Sequence, residues 1–497
     1  MTSSRDALLY FGGMVFQQLV TFFTGIAVAR WLGPDSYGVL SLVRNVFAIL
    51  LILSPLGLDL SLLRHIGQNG ESWPRVRSQI LALRGVAAVV NGIVVAVTYL
   101  FVGNLLQTHL YHYDGFASAL NLTLLALPFA ADVSIMVATF RGRHRPAAQA
   151  LVSLYLQPFA RSLFIVGFLW VGFGLSGVLT ANILGYAIAS ATLSVVLWRW
   201  NKREKVPSYT LQREDATALR SLLGDSVWLA SSLLVYGLLK NVDIMILGAY
   251  RPSSEVGEYA AVSAIAQIIQ FAPQAISQSL GAVVARDYAK GDIQTLRTTL
   301  SGYLRSASLI TAPIFGGVAV FGPWLDLLFG SKFHFSWQVC AALASAQYIS
   351  AVLAPMGYSL SMTGRHRLEL LLLASGTAGI SLACLLVTPY YGAAGLATTI
   401  AVGYLATNFA RAFLVRRLFS ISLGQASDLL PPLLSLGLAL VMRHVGEMLL
   451  GRNLPALFAI GVIYLASCGA TYWFVLFRPA EKNKLRGKIF KKNIGSL

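Results

Sequence analysis

The sequence predicts an all-α, polytopic integral membrane protein of about fourteen transmembrane helices, arranged as two six-helix lobes followed by two further spans. Composition is the first ground for this. Of 497 residues, 56% are hydrophobic and only 12% charged, with a mean hydropathy of +0.67. So few polar side chains cannot clothe a water-soluble protein of this length. The second ground is that apolar runs of the roughly 20 residues needed to cross a bilayer recur almost to the C-terminus. The third is an internal repeat.

Taken in order, the spans are 7 to 29, 38 to 63, 79 to 102, 116 to 140, 147 to 172, 175 to 198, 226 to 249, 257 to 284, 300 to 321, 338 to 362, 368 to 388, 395 to 415, 429 to 446 and 455 to 477. The first run has full span length and no small-residue cleavage site after it, so it is expected to stay as a helix rather than leave as a signal peptide. An even count puts both termini on one side. Of the 38 Lys and Arg, 27 fall in the terminal and even-numbered-loop segments, 5 in or at the edge of the odd-numbered loops and 6 within spans. The positive-inside rule makes the 27-residue side cytoplasmic. The net charge of +18 is therefore read as topology, with attraction to anionic membrane lipids second and no nucleic-acid partner. Trp31, Trp170, Trp198, Trp200, Trp324 and Trp337 lie near span ends, where interfacial indoles collect. Cys340, Cys384 and Cys468 sit inside apolar runs without metal-ligand spacing, so neither a disulfide framework nor a metal site is expected, and no cofactor motif appears.

The repeat fixes the organisation. Gly142-Arg143-His144-Arg145 after span 4 returns as Gly364-Arg365-His366-Arg367 after span 10, a shift of 222. Phe173-Gly174-Leu175-Ser176-Gly177 with Gly185-Tyr186 returns as Tyr391-Gly392-Ala393-Ala394-Gly395 with Gly403-Tyr404, a shift of 218. Gly38 and Pro55 correspond to Gly257 and Pro273, at 219 and 218. The expected divisions are an N-terminal lobe at 1–198, a basic linker at 199–225, a second lobe at 226–417, two extra spans at 418–477 and a basic tail at 478–497. Six spans separate the copies, so the lobes share one orientation, an arrangement that can rock around a central site. Pro55, Pro128, Pro158, Pro273, Pro313 and Pro355 lie within spans, where each removes a backbone donor.

An ionised side chain at mid-membrane costs about 2.5 to 3.5 kcal/mol, so each demands a reason. Arg84, Arg305 and Arg411 lie within snorkelling distance of span ends, and Asp59 and Glu369 near helix ends. Deeper lie Arg44, Asp132, Arg161, Lys240 and Asp243, and these are not duplicated between the copies. That asymmetry points to a task performed once. Internal pairing is the alternative, Lys240 with Asp243 and Asp132 with Arg161. Basic residues outnumber acidic ones within the spans, so a cavity lined by them favours an anion such as a phosphate. Arg44, Arg161 and Lys240 are the expected anion contacts, Gln157 and Asn241 neutral hydrogen-bonding neighbours, and Asp132 and Asp243 the carboxylates available to a coupling ion.

Ala29-Arg30-Trp31-Leu32-Gly33-Pro34-Asp35-Ser36-Tyr37-Gly38 resembles the A-R-x-L-G-P-x-x-Y-G signature of the polysaccharide-transport, Wzx-type flippases, relatives of the multidrug and toxin extruders. Asn241-Val242-Asp243 with Leu247-Gly248, Leu327-Leu328-Phe329-Gly330 and Tyr391-Gly392-Ala393-Ala394-Gly395 resemble the same family. The resemblance implies a MATE-like fold and alternating access around a cationic cavity. The implied cargo is an undecaprenyl-diphosphate-linked oligosaccharide, carried to the periplasmic leaflet of a bacterial inner membrane for exopolysaccharide or O-antigen synthesis. Polymerase and export proteins are the implied partners. Some lipid-diphosphate flippases of that superfamily carry arginine in span 1, where this chain has Gln17, Gln18, Thr21 and Thr24. Two rivals fit less well. A drug or cation antiporter of the same fold generally has twelve spans and an acidic pocket, and a membrane glycan polymerase or glycosyltransferase needs a large catalytic loop or a DxD motif. No enzymatic activity is expected.

Overall fold

A computed structural model describes residues 4–55, 57–59, 61–62, 66, 73–143, 145–207, 209–210, 212, 215, 224, 237, 241–419 and 430–476. The helices in chain order are α1 (Ser4–Leu53), α2 (Trp73–His109), α3 (Phe116–Gly142), α4 (Ala147–Val171), α5 (Gly174–Arg203), α6 (Asn241–Tyr250), α7 (Ser253–Ala266), α8 (Ile268–Ala289), α9 (Ile293–Phe321), α10 (Trp337–Met362), α11 (Arg367–Phe419), α12 (Leu430–Leu450) and α13 (Leu454–Leu476). No strand occurs among the described residues. Ten of the described helices are long and apolar enough to cross a membrane. Two of them, α1 and α11, each join two of the expected spans, bent at Gly33 (φ 76°) and Gly392 (φ 56°), with α1 ending at Leu53, short of the expected end of span 2 at 63. Gly33 takes a backbone conformation that costs other residues about 1 kcal/mol or more, and Pro34 then opens the next helical limb.

The chain divides into two compact units, Met1–Ala260 and Ala261–Leu497. The first includes α6 and the opening turns of α7, which the sequence reading assigns to the second lobe. One cause is a close crossing. A Cβ on Gly38 would collide with the carbonyl of Ser253, and one on Gly257 with the carbonyl of Pro34. Because Ser253 is Pro34 shifted by 219 and Gly257 is Gly38 shifted by 219, the contact is reciprocal. The Ser253 hydroxyl adds a hydrogen bond to Asp35 Oδ1 at 3.0 Å.

The core of this unit is apolar, with Leu58, Leu83, Ile135, Met136, Phe140 and Leu193 buried together. Through it runs one polar seam. Arg84 on α2 forms a two-pronged ion pair with Asp132 on α3, with Nη2 to Oδ2 at 3.0 Å. Ser190 donates to Asp132 at 2.6 Å and Arg84 donates to Ser194 at 2.6 Å, tying in α5. Asp132 thus pairs with Arg84 rather than Arg161, and Arg84 faces a carboxylate instead of snorkelling. Fork-to-carboxylate geometry with further hydrogen bonds is what makes a buried ion pair tolerable.

At the basic end, the linker residues Tyr209, Gln212 and Asp215 lie against α2. The buried Asp215 carboxylate accepts from Gln212 N (2.8 Å), Arg75 Nε (2.5 Å), Gln79 Nε2 (3.2 Å) and Tyr209 Oη (3.2 Å). These donors, the Gln212 backbone N–H foremost, hold its pKa down to about 2. Beside it, Arg143 stacks over Trp73 and Trp200, and Arg145 over Trp200, while both lie 3.4 Å from Glu204. Trp200 is thus packed into a cation sandwich, whereas Trp31, Trp170, Trp198 and Trp337 are more than half exposed. Trp324 departs from the interfacial expectation altogether. It is 1% exposed, with its indole N–H directed at Glu447.

In the second unit, Glu369 and Arg411 form an ion pair at 2.7 Å, with Asn408 accepting from the same guanidinium at 3.2 Å. Gly357 on α10 leaves room for this carboxylate, since a Cβ there would stand 2.9 Å from Glu369 Oε1. The helices α12 and α13 are docked on α9, where Tyr464 Oη donates to Pro313 O at 2.9 Å. Tyr464 and Ser435 fill the space left by Gly316.

The repeat is visible in backbone geometry. Arg145 N donates to Phe140 O at 3.0 Å and Arg365 N to Leu360 O at 2.9 Å. The Arg145 guanidinium stacks 4.4 Å from Trp200 and that of Arg365 5.2 Å from Phe419. Arg145 therefore matches Arg365, a shift of 220 rather than the 222 at which the tetrapeptides align.

Asp132→Asn, which strands Arg84, is expected to lower the stability of the detergent-solubilised protein by about 3 to 5 kcal/mol, read by thermal unfolding. The double change Arg84→Met with Asp132→Leu should recover most of that loss. Asp215→Asn tests the linker. Because the folded pKa lies below the ordinary 3.8, Asp215 stabilises the docked linker fully above that value and ceases to as pH falls through about 2. Hydrogen exchange across 209–215 should therefore differ between wild type and variant at neutral pH and converge in acid.

Candidate functional site

The site grows out of an irregular stretch in α4. Pro158 has no N–H to give, and the turn before it, Leu151–Leu156, widens to π geometry, with Gln157 N bonded to Val152 O. This turn directs Tyr155 at the first limb of α1, where Gly12 and Gly13 leave room for its ring and Leu9 O accepts its hydroxyl at 3.0 Å. One turn beyond Gln157 comes Arg161. Its Nη2 lies 3.3 Å from Thr21 Oγ1, and the next residue, Ser162, accepts from Thr24 at 2.8 Å. Span 1, which has no arginine, is thus served by the arginine of α4.

Two further helices complete the surroundings. Gly185 on α5 makes the notch for the Arg161 stem, since a Cβ there would lie 2.9 Å from Arg161 Cβ. Arg44, on the second limb of α1, lies within electrostatic reach of Arg161, and the Tyr186 hydroxyl lies within reach of both. Tyr186 in turn packs against Phe47, one turn from Arg44, with ring centroids 6.1 Å apart. Neither arginine has an ion-pair partner among the described residues, and Arg161 Nε is buried without a hydrogen-bond acceptor among them. Two like charges near each other without a carboxylate are an arrangement whose repulsion an anion would offset.

The other expected site residues fall as follows. Gln157 is half-buried at the end of the π turn. Asp132 belongs to the Arg84 seam. Asp243 on α6 accepts from Tyr259 Oη at 3.0 Å. Asn241 donates to Gly237 O at 2.8 Å, and Asn45 to Ser41 O at 2.9 Å. Lys240 lies outside the described residues. Sequence reasoning missed Tyr186 and Thr21 as site neighbours. The Gly-Tyr dipeptide repeated at 403 and 404 was the available signal for the first.

The second unit holds a counterpart without the charge. At the place of Gly185, Gly403 makes a notch, and the side chain filling it is Ile380. Ile380 therefore corresponds to Arg161 at a shift of 219.

This helix order is that of a polytopic membrane protein, with ten apolar helices among the described residues long enough to cross a membrane. The structure is similar to the lipid II flippase MurJ in its inward closed conformation, with a TM-score of 0.68 and 12% identity over 95% of this chain and 100% of that one. It is also similar to an inward-facing multidrug resistance MATE family transporter, with a TM-score of 0.64 and 16% identity over 83% of this chain and 98% of that one. By sequence, the model of the polysaccharide biosynthesis protein family matches residues 3–284, more than half of the chain, and the protein belongs to that family. A relative in Haloferax volcanii, the probable low-salt glycan biosynthesis flippase Agl15, is 23% identical over 365 residues, 72% of each chain.

Because the Arg161 Nε is buried without an acceptor and its guanidinium has no ionic partner among the described residues, Arg161→Ile, which installs the residue found at the equivalent position 380, should stabilise the protein by about 1 kcal/mol in the absence of ligand. Thermal unfolding in detergent reads this directly, and a loss of stability would show that Arg161 has a structural partner.

Proposed function

We propose that this protein is a flippase that moves a polyprenyl-diphosphate-linked oligosaccharide repeat unit from the cytoplasmic to the outer leaflet by alternating access. The observation that carries the reading is the Arg44 and Arg161 pair, two half-buried cations without a carboxylate partner among the described residues, in a chain of the polysaccharide biosynthesis family. The diphosphate supplies the missing anion. Charge-assisted hydrogen bonds from guanidinium groups to phosphate oxygens are strong where water is scarce. Lys240 adds a third cation, and Gln157 and Asn241 line the path along which the glycan passes.

The 27 to 5 division of basic residues supports a cytoplasmic location for the linker and both termini. A bacterial inner membrane and the enzymes that polymerise and export the glycan complete the proposed setting. Asp132 and Asp243 are the proposed carboxylates for ion coupling. Asp243 is the better placed, because the side chain that donates to it is the neutral Tyr259 hydroxyl, whereas Asp132 is already engaged by Arg84. Its charge is thus available to a proton or to Lys240. Arrival of the anionic lipid would draw the cation away and change the carboxylate's proton affinity.

The test is genetic and biochemical. Deleting the gene should cause a lipid-diphosphate-linked oligosaccharide to accumulate facing the cytoplasm. Arg161→Ala should reproduce that accumulation and reduce export at least tenfold while the protein inserts at normal levels. Export at the wild-type rate per molecule would remove Arg161 from the transport site, and efflux of an organic cation instead would favour the antiporter reading.

A further inference from the structure

At the end of the first unit away from the basic linker lies a cleft of about 600 Å³, within the usual range for small-molecule sites. Its wall is built from the start of α1's second limb, the segment between α2 and α3, the start of α5 and the turn between α6 and α7. Its chemistry is the reverse of the arginine site. Asp35 and Asp114 stand exposed at its edge, and its single cation, Arg251, has Glu255 3.9 Å away. A second phosphate would be repelled here. Carboxylates, the Ser36 hydroxyl and His112 instead offer acceptors and donors to a ligand rich in hydroxyls.

Two aromatic rings add flat apolar faces. Tyr113 is held rigidly, its hydroxyl donating to the carbonyls of Gly248 (2.8 Å) and Arg251. Tyr250 lies 48% exposed in the wall. Rigid aromatic faces beside polar acceptors match the two-sided character of a sugar ring, with its C–H face and hydroxyl edge.

The cleft and the arginines sit on the same helices. Asp35 and Arg44 are nine residues apart on one limb of α1, and Leu175 and Tyr186 eleven apart on α5. At 1.5 Å per residue these separations are about 14 and 16 Å. That is the spacing expected for a ligand with an anionic group at one end and a short glycan at the other. We infer that this acidic, aromatic cleft binds the oligosaccharide portion of the cargo while Arg44 and Arg161 hold its diphosphate, an assignment that rests on the flippase reading above.

The test uses the full-length protein in nanodiscs with one accessible thiol, Ser36→Cys. The three native thiols are buried. Labelling by a charged maleimide is timed with three probes: the lipid-linked oligosaccharide extracted from cells lacking the gene, the oligosaccharide freed from it by mild acid, and undecaprenyl diphosphate. The first two are expected to slow labelling at least fivefold and the third not at all. Tyr250→Ala, and independently Asp114→Asn, should raise the half-protecting concentration of the free oligosaccharide roughly tenfold. Protection by undecaprenyl diphosphate alone would overturn the inference by making the cleft a phosphate site. If native mass spectrometry shows the glycolipid bound while the introduced thiol labels at the unprotected rate, the cleft assignment fails and the flippase reading stands. If the glycolipid does not bind at all, both fail.

Discussion

The structure depends on the cost of keeping charge inside a bilayer. Wherever the described residues carry an acid and a base at depth within reach of each other, they are joined: Arg84 with Asp132 across α2 and α3, and Glu369 with Arg411 across two limbs of α11. Each pair is also served by neutral groups, Ser190 and Ser194 in the first and Asn408 in the second. Such seams set helix register, because a shift of one residue would leave two charges stranded. Against this background the Arg44 and Arg161 neighbourhood stands apart. It is built with care, from a glycine notch and two threonines, and yet leaves its charge uncompensated among the described residues.

The two units share a skeleton and differ in chemistry. Gly177 packs on Phe168 and Phe173, and Gly395 on Val387 and Tyr391 at equivalent places. Gly185 and Gly403 make equivalent notches. What differs is the occupant, Arg161 in one and Ile380 in the other. Close-approach glycines fix how helices cross and must survive in both copies for both to fold. An arginine without a partner lowers stability, so a second copy would double the cost without adding a function.

This explains which parts were legible in the sequence. Helices and the repeat follow from local pattern: hydropathy over twenty residues and the returning glycine motifs. The identity of the deep charged residues was legible too, since few ionisable residues interrupt the spans. Their partners were not. Arg84 and Asp132 are 48 residues apart and Glu369 and Arg411 are 42 apart, and pairing across such distances is set by helix packing rather than by spacing. Snorkelling accounts for Arg84 and Arg411 from their depth alone and so overlooks acids on adjacent helices. Trp324 fails for a related reason, because proximity to a span end says nothing of α12 lying over it with Glu447.

The π turn at Leu151–Leu156 has a consequence for how the two copies diverged. From Arg145 to Arg161 there are 16 residues, and from Arg365 to Ile380 only 15. The first copy contains one residue more, and a π turn is how a helix absorbs a single insertion without breaking. In an unbroken α-helix one inserted residue would turn everything after it by about 100° around the helix axis; the wider turn takes up that rotation, so Arg161 meets the notch at Gly185 as Ile380 meets the one at Gly403. The two copies therefore differ in length by one residue yet present positions 161 and 380 to equivalent notches, so the cationic site departs from its counterpart in the side chain it carries and not in the direction that side chain is aimed.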